Sequence, residues 1–117
     1  MFDFQKLNVY QKAKSFNQSV YKIIKQKNMD RVTNDQFRRA SFSIMLNIAE
    51  GNSRFSNRDR KNFMIISRGS VFECAAILDY LKDTKEITED DYTVLFENLE
   101  EISKMLFSLI RKLEKSE

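Results

Sequence analysis

Apolar side chains recur along this chain at spacings of three and four, the period of a helix that buries one face. Rotated at about 100° per residue, the first helical stretch gathers Val9, Ala13, Phe16, Val20, Ile23 and Ile24 on one side. Gln11, Lys14, Gln18, Lys22 and Lys25 fall opposite. The last stretch is cleaner, with Leu95, Leu99, Ile102, Leu106, Leu109 and Leu113 forming one seam backed by Glu97, Glu100, Lys104, Ser108 and Arg111. Between them lie two helices that are apolar on both sides. The second turns Phe37, Ala40, Ser41, Ile44 and Ile48 to the core yet carries Phe42 and Leu46 on its far side. The third turns Phe63, Ile66, Ser70, Cys74, Ile77 and Leu81 inward, while Ile65, Phe72 and Ala76 point away beside Gly69. A mid-helix glycine costs about 1 kcal/mol relative to alanine, so Gly69 is expected to admit the close approach of another backbone. Either a skewed bundle hides the outward residues, or Phe42, Leu46, Ile65, Gly69, Phe72 and Ala76 form a subunit interface. The interface is the preferred reading.

The same device marks three helix starts: a hydroxyl cap with an amide or carboxylate three residues on. These are Thr33 with Gln36, Ser56 with Asp59, and Thr88 with Asp91. The cap oxygen accepts a free first-turn N–H, and the later side chain reaches back to the cap's own N–H, less well for Asp than for Glu or Gln. With a first helix beginning near Asp3 to Leu7, helices are expected over 5–27, 34–50, 57–84 and 89–115. Gly51 stands where a left-handed helix stop is wanted. The joints Asn28-Met29-Asp30-Arg31 and Lys85-Glu86-Ile87 are short, so consecutive helices should run antiparallel. The prediction is an all-α fold, a single four-helix-bundle domain over residues 1–117.

Composition agrees. The 117 residues include two glycines and no proline, too few for a turn-rich β fold. No apolar run reaches the roughly 18 residues of a membrane span and the start lacks a signal-peptide core, so a cytoplasmic protein with no membrane contact is expected. One cysteine, Cys74, excludes an internal disulfide. The formal charge of +3 conceals a split: residues 1–68 hold 14 Lys/Arg against 5 Asp/Glu, and residues 69–117 hold 6 against 12. Such asymmetry suggests one basic and one acidic surface, unless the halves interleave in the fold.

The sequence contains no histidine, which removes the commonest general base near neutral pH and the Glu-x-x-His pairs of a di-iron bundle. There is no Gly-rich phosphate loop. Cys74 falls on an inward helix face without a histidine partner and reads as packing. Glu89-Asp90-Asp91 sit where a first turn favours negative charge, a role preferred over metal binding. No enzyme, cofactor or metal is expected. The positive signal is basic: Arg38, Arg39, Arg54, Arg58, Arg60, Lys61 and Arg68 fall within 31 positions around the joint between the second and third helices. Lys14, Lys22 and Lys25 add a stripe on the first. These side chains are either a solvated surface bridged to the acidic last helix or phosphate contacts for RNA or DNA.

The chain also resembles a known family. Phe4, Leu7 and Val9-Tyr10-Gln11-Lys12-Ala13 carry the likeness at the start. Arg38-Arg39-Ala40-Ser41, Ser43-Ile44, Asn47-Ile48-Ala49-Glu50-Gly51, Arg54, Gly69-Ser70 and Glu73 carry it through the middle. Together they look like the bacterial four helix bundle proteins, which include proteins encoded in intervening sequences of 23S rRNA genes. Met45 departs from a position that is often proline in the family, so the second helix should be less kinked here. The resemblance implies an antiparallel up-and-down four-helix bundle. It also implies similarity to the accessory variability determinant of diversity-generating retroelements, a basic pentameric ring that binds nucleic acid and a reverse transcriptase. The expectation is therefore a non-enzymatic homo-oligomer, with a pentamer as the implied stoichiometry, that binds nucleic acid, RNA first. The alternative is an oligomeric scaffold or accessory subunit that meets a protein partner and no nucleic acid.

Overall fold

In the computed structural model of the protein, which describes residues 1–26 and 29–116, four long helices follow a short 3-10 turn at Asp3–Lys6. They are α1 (Asn8–Gln26), α2 (Arg31–Asn52), α3 (Asn57–Asp83) and α4 (Glu89–Lys115). The expected end of the first helix at residue 27, and Asn28 of the first joint, lie outside the described residues. Helices α1 and α2, α2 and α3, α3 and α4, and α4 and α1 pack side by side, and among the described residues the diagonal pairs stay apart at the backbone. Cross-helix contacts fix the directions. Ser41 Oγ donates to Asn17 Oδ1 (2.8 Å), Ser67 Oγ donates to the Ile44 carbonyl (2.8 Å), and Arg68 Nε reaches the Ser103 carbonyl (3.4 Å). Arg38 on Tyr21, Gln36 on Glu73 and Lys82 on Tyr92 are second contacts of the same three seams. Residue numbers rise along one helix as they fall along its neighbour, so neighbours are antiparallel. This is the expected up-and-down bundle, 45 × 25 × 22 Å. A 27-residue helix rising about 1.5 Å per residue accounts for the long axis.

The helix ends correct several expectations. At the start, Gln5 Oε1 accepts the Phe2 N–H (2.8 Å) and closes the 3-10 turn, then extended Leu7 breaks it, so α1 begins at Asn8 rather than at residue 5. Helix α2 begins a turn before Thr33, because Asp30 Oδ2 caps it by accepting the Thr33 N–H (3.1 Å). Thr33 is itself a donor to that carboxylate (3.2 Å). The hydroxyl half of the other two caps stands as expected: Ser56 Oγ and Thr88 Oγ1 accept the N–H groups of Asp59 and Asp91 (3.1 Å each). Gly51 is not a left-handed stop. It is a buried helical residue of α2, and a Cβ there would lie 2.7 Å from Phe63 Cβ and 3.1 Å from Met64 Cε. The left-handed residue is Lys85 (φ 60°), at the end of α3. There the Glu86 N–H bonds the Leu81 carbonyl (3.0 Å) and the Lys85 N–H bonds the Lys82 carbonyl (3.1 Å), the double closure of a Schellman end.

The core follows the predicted faces of α1, α2 and α4, with Phe16, Phe37, Ile44, Ile48, Leu95, Leu99 and Leu106 fully enclosed. The exceptions are Ile23, Leu109 and Leu113, which are only half-buried, and Ile110, which is buried instead. Helix α3 is rotated from its expected setting. Met64, Ser67, Val71 and Leu78 join Ser70, Cys74 and Leu81 inside, whereas Ile66 is 51% exposed and Phe63 and Ile77 are half-buried. The reason lies in the α2–α3 seam. Ser67 and Ser70 are small and can satisfy their hydroxyls against α2, Ser67 on the Ile44 carbonyl and Ser70 on Ser43 Oγ (2.8 Å). Two close-packed helices prefer that seam to one filled by Ile66. Helix α2 runs unbroken through Met45.

Candidate nucleic-acid interface

The joint between α2 and α3 is built by its own arginines. Ser53 Oγ donates back to the Glu50 carbonyl (2.6 Å), ending α2. Arg54 folds over the Phe63 ring (4.5 Å to the centroid) and donates from Nη2 to Glu50 Oε1 (3.2 Å). Arg60 donates from Nε to the Arg54 carbonyl (2.7 Å) and from Nη1 to Asn57 Oδ1 (3.3 Å). Two of the candidate phosphate contacts, Arg54 and Arg60, are thus half-buried and occupied in holding the turn. They are not the open solvated surface the sequence suggested: an arginine in a tight joint satisfies carbonyl and carboxylate oxygens before it meets solvent. Arg58 is exposed on the first turn of α3, and Lys61 is half-buried a turn further on.

The remaining candidates divide. Arg68 lies in the α3–α4 groove between the rings of Phe72 (5.0 Å) and Phe107 (5.5 Å). Arg38 stacks on Tyr21 of α1 (4.7 Å), and Lys25 approaches the same ring (5.1 Å). Arg39, Lys14 and Lys22 are exposed on α2 and α1. The chain therefore does not bring all nine basic candidates together. Lys14, Arg54, Arg58, Arg60, Lys61 and Arg68 share the end of the bundle at the α2–α3 joint, while Arg38, Arg39 and Lys22 sit toward the other.

Sequence reasoning missed the partners of the first group. Because α4 runs down against α3, its C-terminal turns, with Arg111, Lys112 and Lys115, arrive at the level of Arg58. Among the described residues, the segments at that end (1–16, 42–70 and 103–116) hold 12 Lys/Arg against 4 Asp/Glu. Those at the far end (17–26, 29–41 and 71–102) hold 7 against 12. The charge split by sequence halves thus becomes a polarity between bundle ends. The signal was present within α4, acidic in its first turn and basic in its last, and counting charge by half-chain averaged it away.

The six residues assigned to a subunit interface do reach the surface. Phe42 and Leu46 on α2 and Ile65, Gly69, Phe72 and Ala76 on α3 are all exposed, Phe72 by 58%. In the single chain they are not hidden by any skew of the bundle. Gly69 has open space around its Cβ position, so nothing within one protomer requires a glycine there. Beside Gly69, a groove between α3 and α4 is lined by Ile65, Arg68, Phe72, Phe107 and Ile110.

Reactive chemistry is sparse. Burial pushes the Cys74 thiol far above its ordinary pKa of 9.0, and the Glu73 carboxylate adds to the shift. Among the described residues no group of three His, Cys, Asp or Glu side chains could hold a metal ion, and no helix is long and apolar enough to cross a membrane.

Residues 5–108 match the family model described as 23S rRNA-intervening sequence protein. A crystal structure from Bacteroides thetaiotaomicron, described as a protein with unknown function from the S23 ribosomal protein family, is similar with a TM-score of 0.82 at 28% identity. The match covers 87% of this chain and 97% of that one. No curated protein matches.

Proposed function

The chain belongs to the 23S rRNA-intervening sequence protein family, and from that premise we propose that it is a non-enzymatic, oligomeric nucleic-acid-binding protein, with RNA the favoured ligand. One observation carries the reading: the concentration of basic side chains at the end of the bundle that holds the α2–α3 joint and the C-terminus of α4. Phosphate contacts need positive charge on one accessible face and no base-reading motif. Several subunits presenting that end together multiply weak contacts through avidity.

Anisotropy of labelled RNA and DNA across a salt series tests the reading. Binding should be weakly sequence-selective, with log affinity falling by about 0.9 per neutralised phosphate for duplex DNA and about 0.7 for single strands, per unit log salt. Arg58→Ala combined with Lys112→Ala and Lys115→Ala should weaken every sequence alike and flatten the slope. These three leave the joint intact, whereas Arg54→Ala and Arg60→Ala would also loosen the turn. No binding of wild-type protein to RNA or DNA at low salt sinks the proposal. The apolar outer wall of α2 and α3 then favours the second reading, an oligomeric scaffold that meets a protein partner.

A further inference from the structure

At the tip of the basic end stands a side chain the fold does not use. Phe55 is 100% exposed, between Arg54 and the Ser56 cap of α3. The backbone on both sides of it is nevertheless held. The Ser53 and Arg54 N–H groups bond the Glu50 and Gly51 carbonyls (3.1 and 3.2 Å), Arg60 grips the Arg54 carbonyl, and Ser56 is fixed by its capping bond. Buried Gly51 seats the joint against Phe63. The backbone that carries the ring is thus held, and the ring itself is wholly in water. Exposed Arg58 follows three residues on, in the first turn of α3, and Lys112 and Lys115 lie at the same end of the bundle.

We infer that Phe55 is a stacking platform for an unpaired nucleobase, so that the basic end selects single-stranded over duplex nucleic acid. The inference rests on the nucleic-acid reading above and deepens it. An aromatic face offers a base about the same stacking surface whichever base it is, and surrounding cations take the flanking phosphates. A paired base hides its faces inside the helix and cannot use the ring. Holding the turn rigid lowers the ordering cost of stacking on it. An anionic membrane or a protein pocket could also receive an exposed ring among cations, but the clustered charge at this end matches a continuous phosphate chain.

The test uses the whole protein with an oligouridylate, a blunt RNA duplex of equal length, and phosphatidylserine vesicles. Phe55→Ala should weaken oligouridylate binding by about 5- to 150-fold, the factor to which about 1–3 kcal/mol per stacked base converts. Duplex affinity and the salt slope should not change, and Phe55→Tyr should restore single-strand binding. Because the ring packs against nothing, helicity should survive each change. The chain has no tryptophan, so Phe55→Trp places a unique indole at the site, and oligouridylate should quench its emission. Single-strand affinity unaltered by Phe55→Ala, or equal losses for both strands, overturns the inference while leaving nucleic-acid binding standing. A blue-shifted indole on vesicles with no quenching by oligouridylate overturns it in favour of a membrane contact. Absence of wild-type binding to either nucleic acid removes the underlying reading instead.

Discussion

Gly51 and Gly69 both lie within helices, and within the protomer only Gly51 serves a close approach. Gly51 ends no helix but lets α2 and α3 meet, and Gly51→Ala should cost about 1–3 kcal/mol by overpacking Phe63 and Met64. Gly69 faces open space, so Gly69→Ala should stabilise the isolated protomer by about 1 kcal/mol through helix propensity. Urea unfolding of both variants measures the contrast, and a simultaneous loss of assembly in Gly69→Ala would place that glycine at a subunit contact. Cys74 makes a second residue-level prediction. Its thiol is kept neutral in the fold, with its pKa raised above the unfolded value. The stability it lends is full below about pH 9, the unfolded thiol's own pKa, and falls as the pH rises beyond it. Native protein should resist alkylation at pH 8 and react once unfolded. Rapid labelling of the native thiol would contradict its enclosure.

Each helix end has a separate cause, and the ends can be tested one at a time. Asp30→Ala should destabilise α2 by about 1 kcal/mol, because it removes the cap. Thr33→Ala should cost less, because Thr33 only donates to that cap. Lys85 holds a left-handed conformation that costs an L-residue about 1–2 kcal/mol, so Lys85→Gly should raise stability by up to that amount. Thermal or chemical unfolding decides both cases, and a destabilising Lys85→Gly would show that the side chain contributes something the backbone geometry does not. Caps were legible in the sequence where a hydroxyl and a carboxylate stood alone at the right spacing, as at Ser56 and Thr88. At the start of α2 the sequence pattern pointed to Thr33, but the cap is Asp30, whose carboxylate adds a further helical turn.

At the scale of the whole molecule, α3 presents an outer face with few charges, continued by Phe42 and Leu46 on α2. Exposed apolar area of this kind is where subunits meet. Phe42→Glu with Phe72→Glu should convert a homo-oligomer into smaller, still helical species in sedimentation velocity. Wild-type protein that sediments as a monomer at micromolar concentration would refute the expectation. The periodicity of three and four, the missing proline and the capping residues determined by themselves that this chain makes four antiparallel helices with one core, since each acts within a few residues. Tertiary structure alone decided which side of α3 is inside. Both sides are apolar, and the side that is buried brings Met64, Val71 and Leu78 inward with Ser67, whose hydroxyl bonds the Ile44 carbonyl. It alone showed that Arg54 and Arg60 hold the joint while Phe55 is left to solvent. It alone joined the last turns of α4 to the α2–α3 joint, because segments more than forty residues apart in sequence become neighbours only when antiparallel helices pack.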